Sequence, residues 1–286
     1  MYSKISDNIA YTRKPVCAGR FYPENKNELE ELIGHILESE KPKINTSLST
    51  NRLCGAIVPH AGYIYSGYQA VHAFKVINES IEHYDTFIII NPNHTGAATD
   101  IFNLSTATKW ETPLGEVEVD TQLSEYLEIE YHNAAHDNEH SGEVILPFLQ
   151  YFIQYPFKIV PITMNRQNYN SAFKLAQKIL KATQKAGRKV FIIASTDFSH
   201  FETPNRGYEL DQLVVDQILR MNSMLIEEKV NDHNISMCGF GPVMTLIELS
   251  KLCSQNAQMH ILKRGHSGTV YPSDKVVNYI SMICTH

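Results

Sequence analysis

The chain has 286 residues, 43% hydrophobic and 20% charged, which is ample material for a sizeable core. Its formal net charge is −6, with Lys and Arg dispersed, which speaks against a nucleic-acid surface or a polybasic membrane patch. No apolar run approaches the roughly 18–20 residues needed to span a bilayer.

Residues 1–14 read as an irregular lead-in, and "MYSKISDNIAYTRKP" lacks the apolar core of a secretory leader. The five cysteines (17, 54, 238, 253 and 284) are scattered without a CxxC pair, so reduced thiols in a cytoplasmic protein are expected. Leu29, Leu32, Ile33, Ile36 and Leu37 at helical spacing predict a helix over 26–39. The polar stretch 41–52 reads as a surface loop. Cys54–Val58 predicts a short strand that runs into "PHAGYIYSG", and a helix is predicted over 68–80. Thr86–Ile90 predicts a second strand, whose successive large apolar residues are those of a strand buried on both faces. Val117–Val119 and Glu128–Tyr131 predict shorter strands near "TPLG". A helix over 142–153 would carry a kink at Pro147. The third central strand covers 157–164, followed by an amphipathic helix over 169–187 closed by Gly187. A fourth strand covers 189–195, helices cover 207–221 and 244–254, and a last strand covers 276–286. This alternation predicts an α/β fold, one domain over 1–286 with a mostly parallel central sheet and helices on both faces.

In open α/β sheets ligands bind beyond the carboxyl ends of the strands. Three apolar strands here carry a histidine at that edge: "AIVPH" gives His60, "FIIINPNH" gives His94, and "FIIASTDFSH" gives Asp197 and His200. One such histidine alone reads as a partly buried side chain bonded to a neighbouring loop. Three at equivalent positions point to one pocket, where imidazoles serve as metal ligands or as acid and base. His140 and Glu143 stand at i, i+3, which fits either a capping box or a shared face lining the pocket, and spacing favours the cap. Cys238 precedes "GFGP" and a helix. It reads either as a thiol with lowered pKa at a helix N-terminus or as a small buried apolar residue. Tyr63, Tyr65 and Tyr68 suit recognition at the pocket or ordinary packing. GxSxG, GK[ST], HExxH and GxGxxG motifs are missing, and nothing specific supports Ser195 or Ser199 as a nucleophile with His200 and Asp197.

The motifs "AGRFYP" (18–23), "VPHAGYIYSG" (58–67), "NPNHTG" (91–96), "TPLGEVEVD" (112–120), "EHSGEVILPFL" (139–149), "STDFSH" (195–200) and "MCGFGP" (237–242) resemble, in order and spacing, those of the Memo family. The likeness runs from about residue 15 to the C-terminus. It implies a fold similar to the class III extradiol (LigB-like) dioxygenases, which are non-haem iron enzymes. It also implies metal ligands at His60, His94 and Cys238, with His200 as base beside Asp197. His140, Glu143 and Tyr63 would line the pocket. Cys238 falls where the dioxygenases place a glutamate, and a thiolate there suits Cu or Zn as well as Fe(II). The function expected on this basis is a metal-dependent redox, dioxygenase-like enzyme of unspecified substrate. The alternatives are a non-catalytic peptide- or partner-binding module and a zinc-type hydrolase. The expected partner is a small molecule or peptide at the strand edge. Microbial members of the family also occur beside radical-SAM proteins, which makes such a protein a further expected partner.

Overall fold

The computed structural model describes residues 11–98 and 100–286. Most of the lead-in expected over 1–14, and the segment on which the expectation of no leader rests, lies outside these residues. In chain order the first elements are β1 (Thr12–Arg13), α1 (Lys26–Glu40), β2 (Leu53–Val58), α2 (Tyr63–Asn78), β3 (Thr86–Pro92) and β4 (Phe102–Asn103). Next come β5 (Lys109–Thr112), β6 (Gly115–Glu118), α3 (Thr121–Tyr126), α4 (Ala134–Asp137), α5 (Leu146–Phe152), β7 (Lys158–Met164) and α6 (Tyr169–Ala186). The chain continues through β8 (Val190–Ser195), β9 (His200–Glu202), α7 (Pro204–Leu219), α8 (Ser223–Asp232), α9 (Phe240–Cys253), β10 (Gln258–His266) and β11 (Val276–Thr285).

The main sheet has the order β10-β11-β2-β8-β3-β7-β4, with β9 paired to β11. Its centre, β2-β8-β3-β7, is parallel, as the strand–helix alternation predicts. Both flanks are antiparallel: β11 runs against β2 and β10, and β4 runs against β7. The expected mostly parallel sheet therefore holds only for its centre. Strands β10 and β11 are joined without a crossover helix, and such a connection favours antiparallel pairing. A smaller sheet joins β1, β5 and β6, the last two forming the hairpin around "TPLG".

Every residue of β3 is buried because helices cover both faces. Ile88 and Ile90 pack with Ile162, Ala194, Leu175 and Leu246 on one side, while Phe87 and Ile89 pack with Val58, Ile193, Phe74 and Leu149 on the other. Helix α1 starts where the Asn25 side chain accepts from the amides of Asn27 and Glu28, and it buries Leu29, Ile33 and Ile36. Gly187, at φ 63°, closes α6 in the left-handed conformation that glycine adopts without strain.

Other expectations are corrected. Helix α2 begins at Tyr63 rather than near residue 68, so strand β2 and the helix are separated by only a tight loop. Pro147 lies in the first turn of α5, where its missing N–H costs nothing, and does not kink the helix. Glu128–Tyr131 is not a strand: Glu128 takes φ 53° just after α3, and only Tyr131 bridges to Leu104.

Glu40 joins α1, α2 and the outer strand β10. Its carboxylate contacts Lys43 Nζ at 2.7 Å, His72 Nε2 at 3.0 Å and Lys263 Nζ at 3.0 Å. Burial raises its pKa, but hydrogen bonds from Lys43, His72 and Lys263 outweigh this and bring it to about 2, below the ordinary 4.5. A depressed carboxylate contributes stability that is complete above its unfolded pKa and is lost as pH falls toward the folded value. The stability gap between wild type and Glu40→Gln in denaturant titrations is therefore expected to be full at pH 5.5 and smaller at pH 3. A gap independent of pH would contradict this reading.

Candidate metal centre

The register of the parallel strands places their carboxyl ends together, with Val58 beside Ser195 and Ile90 beside Ala194. His60 follows β2 by two residues, His94 follows β3 by two, and Asp197 follows β8 by two. Rigid buried strands thus deliver the first two imidazoles to one spot. The third arrives on the loop between α4 and α5. His60, His94 and His140 each offer a ring nitrogen, and these atoms lie within 4.8 Å of one another. Two nitrogens on one ion, each at about 2.1 Å, stand at most about 4.2 Å apart, so the group fits a shared cation after a small adjustment of the rings.

The hydrogen bonds fix which nitrogens are free. Ser195 Oγ donates to Ser141 O at 2.7 Å, so at 2.8 Å from His60 Nδ1 it accepts that ring's proton. His60 Nε2 is left with its lone pair. Glu139 Oε1 lies 2.9 Å from His94 Nδ1, while Oε2 accepts the His94 amide at 2.6 Å. Burial raises the Glu139 pKa, but the His94 hydrogen bond and charge and the Ser141 hydroxyl and amide bring it to about 2. Glu139 is thus an ionised acceptor, and it frees His94 Nε2 in the same way. His140 stacks on Phe21 with ring centroids 4.7 Å apart, and its Nδ1 lies 3.4 Å from the same Glu139 Oε1. Burial first, then the neighbouring His140 and His94 charges, hold the His60 pKa well below its ordinary value. Burial likewise lowers His140 to about 4. Neutral imidazoles are the form that binds metals.

Cys238 stands at the edge of this group. Its Sγ is 3.3 Å from His60 Nε2 and accepts the Asp197 amide at 3.1 Å. Helix α9 begins two residues later, yet burial and the Asp197 charge push the thiol pKa up rather than down. This corrects the expectation drawn from the helix N-terminus: desolvation outweighs the dipole here.

Asp197 and His200 do not contact each other as base and orienting acid. Asp197 Oδ1 accepts the His60 amide at 2.9 Å, and burial raises its carboxyl pKa to about 6 against the hydrogen bonds of the His60 and Ala61 amides. His200 Nδ1 is 2.8 Å from Ser236 O, and since a carbonyl only accepts, the proton sits on Nδ1 and Nε2 is free.

Glu143 and Tyr63, expected at the pocket, lie beneath it instead. The helix expected to place His140 and Glu143 on one face starts only at Leu146, and the preceding turns point the two side chains apart. Glu143 is fully buried and accepts from Arg13 Nη1 at 2.5 Å, the Cys17 amide at 2.8 Å and the Tyr22 hydroxyl at 2.6 Å. Tyr63 stacks on Phe148 at 4.1 Å and donates to Val144 O at 2.8 Å. The sequence does not assign Glu139 and Ser195 their places as the Nδ1 partners of His94 and His60. An acid beside a candidate ligand and a hydroxyl at the last residue of a strand were the available signals.

The profile of the Memo family, described as Memo-like protein, matches residues 13–283. A MEMO1 family protein of Methanobrevibacter smithii is 39% identical over 283 residues, covering 95% of this chain and 99% of its own. Another from Methanococcus maripaludis strain C5 is 39% identical over 284 residues, with coverages of 95% and 99%. A third from Methanosarcina mazei is 35% identical over 275 residues, with coverages of 95% and 98%. Among solved structures, an uncharacterized protein from Escherichia coli K12 aligns at TM-score 0.55 and 9% identity, over 81% of this chain and 99% of that one. At that identity the likeness concerns the fold alone. The family profile and the full-length relatives together show that the chain belongs to the Memo family.

Proposed function

We propose that this protein is a metal-dependent redox enzyme whose ion is held by Nε2 of His60, Nε2 of His94 and the ring of His140. The observation that carries the reading is the convergence of these three imidazoles, with Ser195 and Glu139 occupying the Nδ1 atoms of the first two. Cys238, beside His60, supplies an adjacent sulfur donor, since a thiol that coordinates a cation loses its proton to solvent or a nearby base. Nitrogen donors on one face with a soft sulfur neighbour suit Fe(II) or Cu better than a hard cation. Bound there, such an ion would supply one-electron chemistry and an open coordination position. The chain supplies the proton handling: His200 Nε2 is a free acceptor, and Asp197, raised to about 6, exchanges a proton near neutral pH. A cleft of about 420 Å³, lined by Arg20, Phe21, Gly62 and Tyr65 among others, adjoins His140 through Phe21. Arg20, Glu24 and Glu28 give its lining charges of both signs.

Protein isolated anaerobically without added metal is expected to carry about one redox-active ion per chain, detected by elemental analysis and cycled by dithionite and air. His60→Ala should abolish both. Zinc as the sole ion, or the same metal content in the variant, would overturn the proposal.

A second reading, ligand recognition without turnover, has one observation in its favour. Phe201, next to His200, is 69% exposed at φ 60°, an uncommon backbone state for a bulky residue. Loss of peptide or small-molecule binding in Phe201→Ala, with redox cycling of the metal undetectable in the wild type, would favour that reading.

A further inference from the structure

Two cysteines with no part in the histidine cluster meet where the C-terminal strand joins β2. In the β11–β2 ladder Cys284 lies opposite Gly55, but Thr285 lies opposite Leu53, so Cys54 is the extra residue of a bulge. The bulge brings Cys54 to the side of the sheet that Cys284 faces. Both thiols contact Ser250 Oγ on α9, Cys54 at 3.4 Å and Cys284 at 3.3 Å. Sharing that one hydroxyl makes the two thiols neighbours. Gly55 permits this crowding: a Cβ there would stand 2.4 Å from Leu246 Cδ1 and 2.7 Å from Ile192 O, so α9 rests directly on the strand beside the pair. Two residues side by side on hydrogen-bonded strands have the Cα separation that a disulfide requires.

The two sulfurs differ in their surroundings. Cys284 is buried, whereas Cys54 is partly exposed. The neighbouring Cys284 and the Ser250 hydroxyl lower the Cys54 pKa below the ordinary thiol value, against burial. One partly exposed, more acidic thiol beside one buried thiol is the arrangement of an attacking and a resolving cysteine. Cys253, exposed at the end of α9, is the neighbouring thiol that could compete.

We propose that Cys54 and Cys284 form a dithiol that is oxidised by small hydroperoxides to an intramolecular disulfide. Cys54 Sγ attacks the terminal oxygen of the peroxide, and the O–O bond breaks. Cys54 becomes a sulfenic acid, and the other oxygen leaves as an alcohol, or as water when the oxidant is hydrogen peroxide. Cys284 Sγ then attacks Cys54 Sγ, and the sulfenic hydroxyl departs with the Cys284 proton as a second water. Two thiols are oxidised by two electrons in all, and one peroxide is reduced. The new bond ties the last strand to β2 across the bulge.

The full chain, reduced and then freed of reductant, is to be treated with hydrogen peroxide, alkylated with N-ethylmaleimide and mapped by peptide mass spectrometry. The expected result is a Cys54–Cys284 linked peptide, with both thiols protected from alkylation and recovered with dithiothreitol. Cys253→Ser should form the same link. In Cys284→Ser, Cys54 should instead accumulate as sulfenic acid captured by dimedone. Should that variant not fold, the wild-type map decides alone. Full alkylation of Cys54 and Cys284 after peroxide, or a link from Cys54 to Cys253 in their place, would overturn the proposal. A glutathione adduct on Cys54 with no linked peptide after treatment with oxidised glutathione and peroxide together would overturn it as well.

Discussion

Replacing Glu143 by alanine is expected to destabilise the protein by about 3–5 kcal/mol, because it leaves the Arg13 guanidinium buried without its counter-ion. Both side chains are inaccessible, at 2% and 0% exposure. Arg13 also donates from Nε to His136 O at 2.9 Å and from Nη2 to Glu139 O at 3.0 Å, and it lies 4.2 Å over the Trp110 ring. One ion pair thus fastens the N-terminal segment to the loop that carries Glu139 and His140. Denaturant unfolding checks the magnitude. The double variant Arg13→Met with Glu143→Leu should be less damaged than Glu143→Ala alone, since two apolar residues leave no unpaired charge. A loss below about 1 kcal/mol for Glu143→Ala would show that the pair is not the anchor described.

Glu139→Ala is expected to weaken metal binding by about 10–100-fold, the usual cost of removing the group that orients a ligating histidine. Glu139 accepts both the ring and the amide of His94 and also the Ser141 amide at 3.0 Å, so its loss frees the His94 tautomer and the loop together. Ser195→Ala removes the Nδ1 partner of His60 and one hydrogen bond to Ser141 O but leaves the His94 contacts intact, and should fall at the lower end of that range. Competition with a chelator of known affinity measures both. Equal affinity in wild type and Glu139→Ala would contradict the tautomer assignment.

The parts of this site that could be read in the sequence are those set by strand ends. His60 and His94 stand directly beyond apolar strands, and the period of those strands alone locates them at the sheet's carboxyl edge. His140 could not be placed in this way. Its position depends on turns held by Glu139, bonded to His94 45 residues away, and by the Arg13–Glu143 pair, 130 residues apart in the chain. Tyr63 was misplaced because nearness to His60 in sequence says nothing of side-chain direction. Once α2 starts at Tyr63, its ring turns into the core between Tyr22 and Phe148. The direction of β11 was illegible for a related reason, since a buried apolar strand has the same composition whichever way it runs. Strand β10 went unseen because a register shift between Ile261 and Lys263 breaks its alternation, and as the outer strand it carries few apolar residues. Helix α8, a short amphipathic segment burying Ile226 and Val230, also escaped notice.

The central claim is that His60, His94 and His140 share one ion. X-ray absorption at the metal edge of anaerobically loaded protein tests it most directly. A first shell of imidazole nitrogens that loses one scatterer in each of His60→Ala, His94→Ala and His140→Ala is the result predicted, with a sulfur contribution that disappears in Cys238→Ser. A shell without imidazole, or one that is unchanged in the three histidine variants, would contradict it.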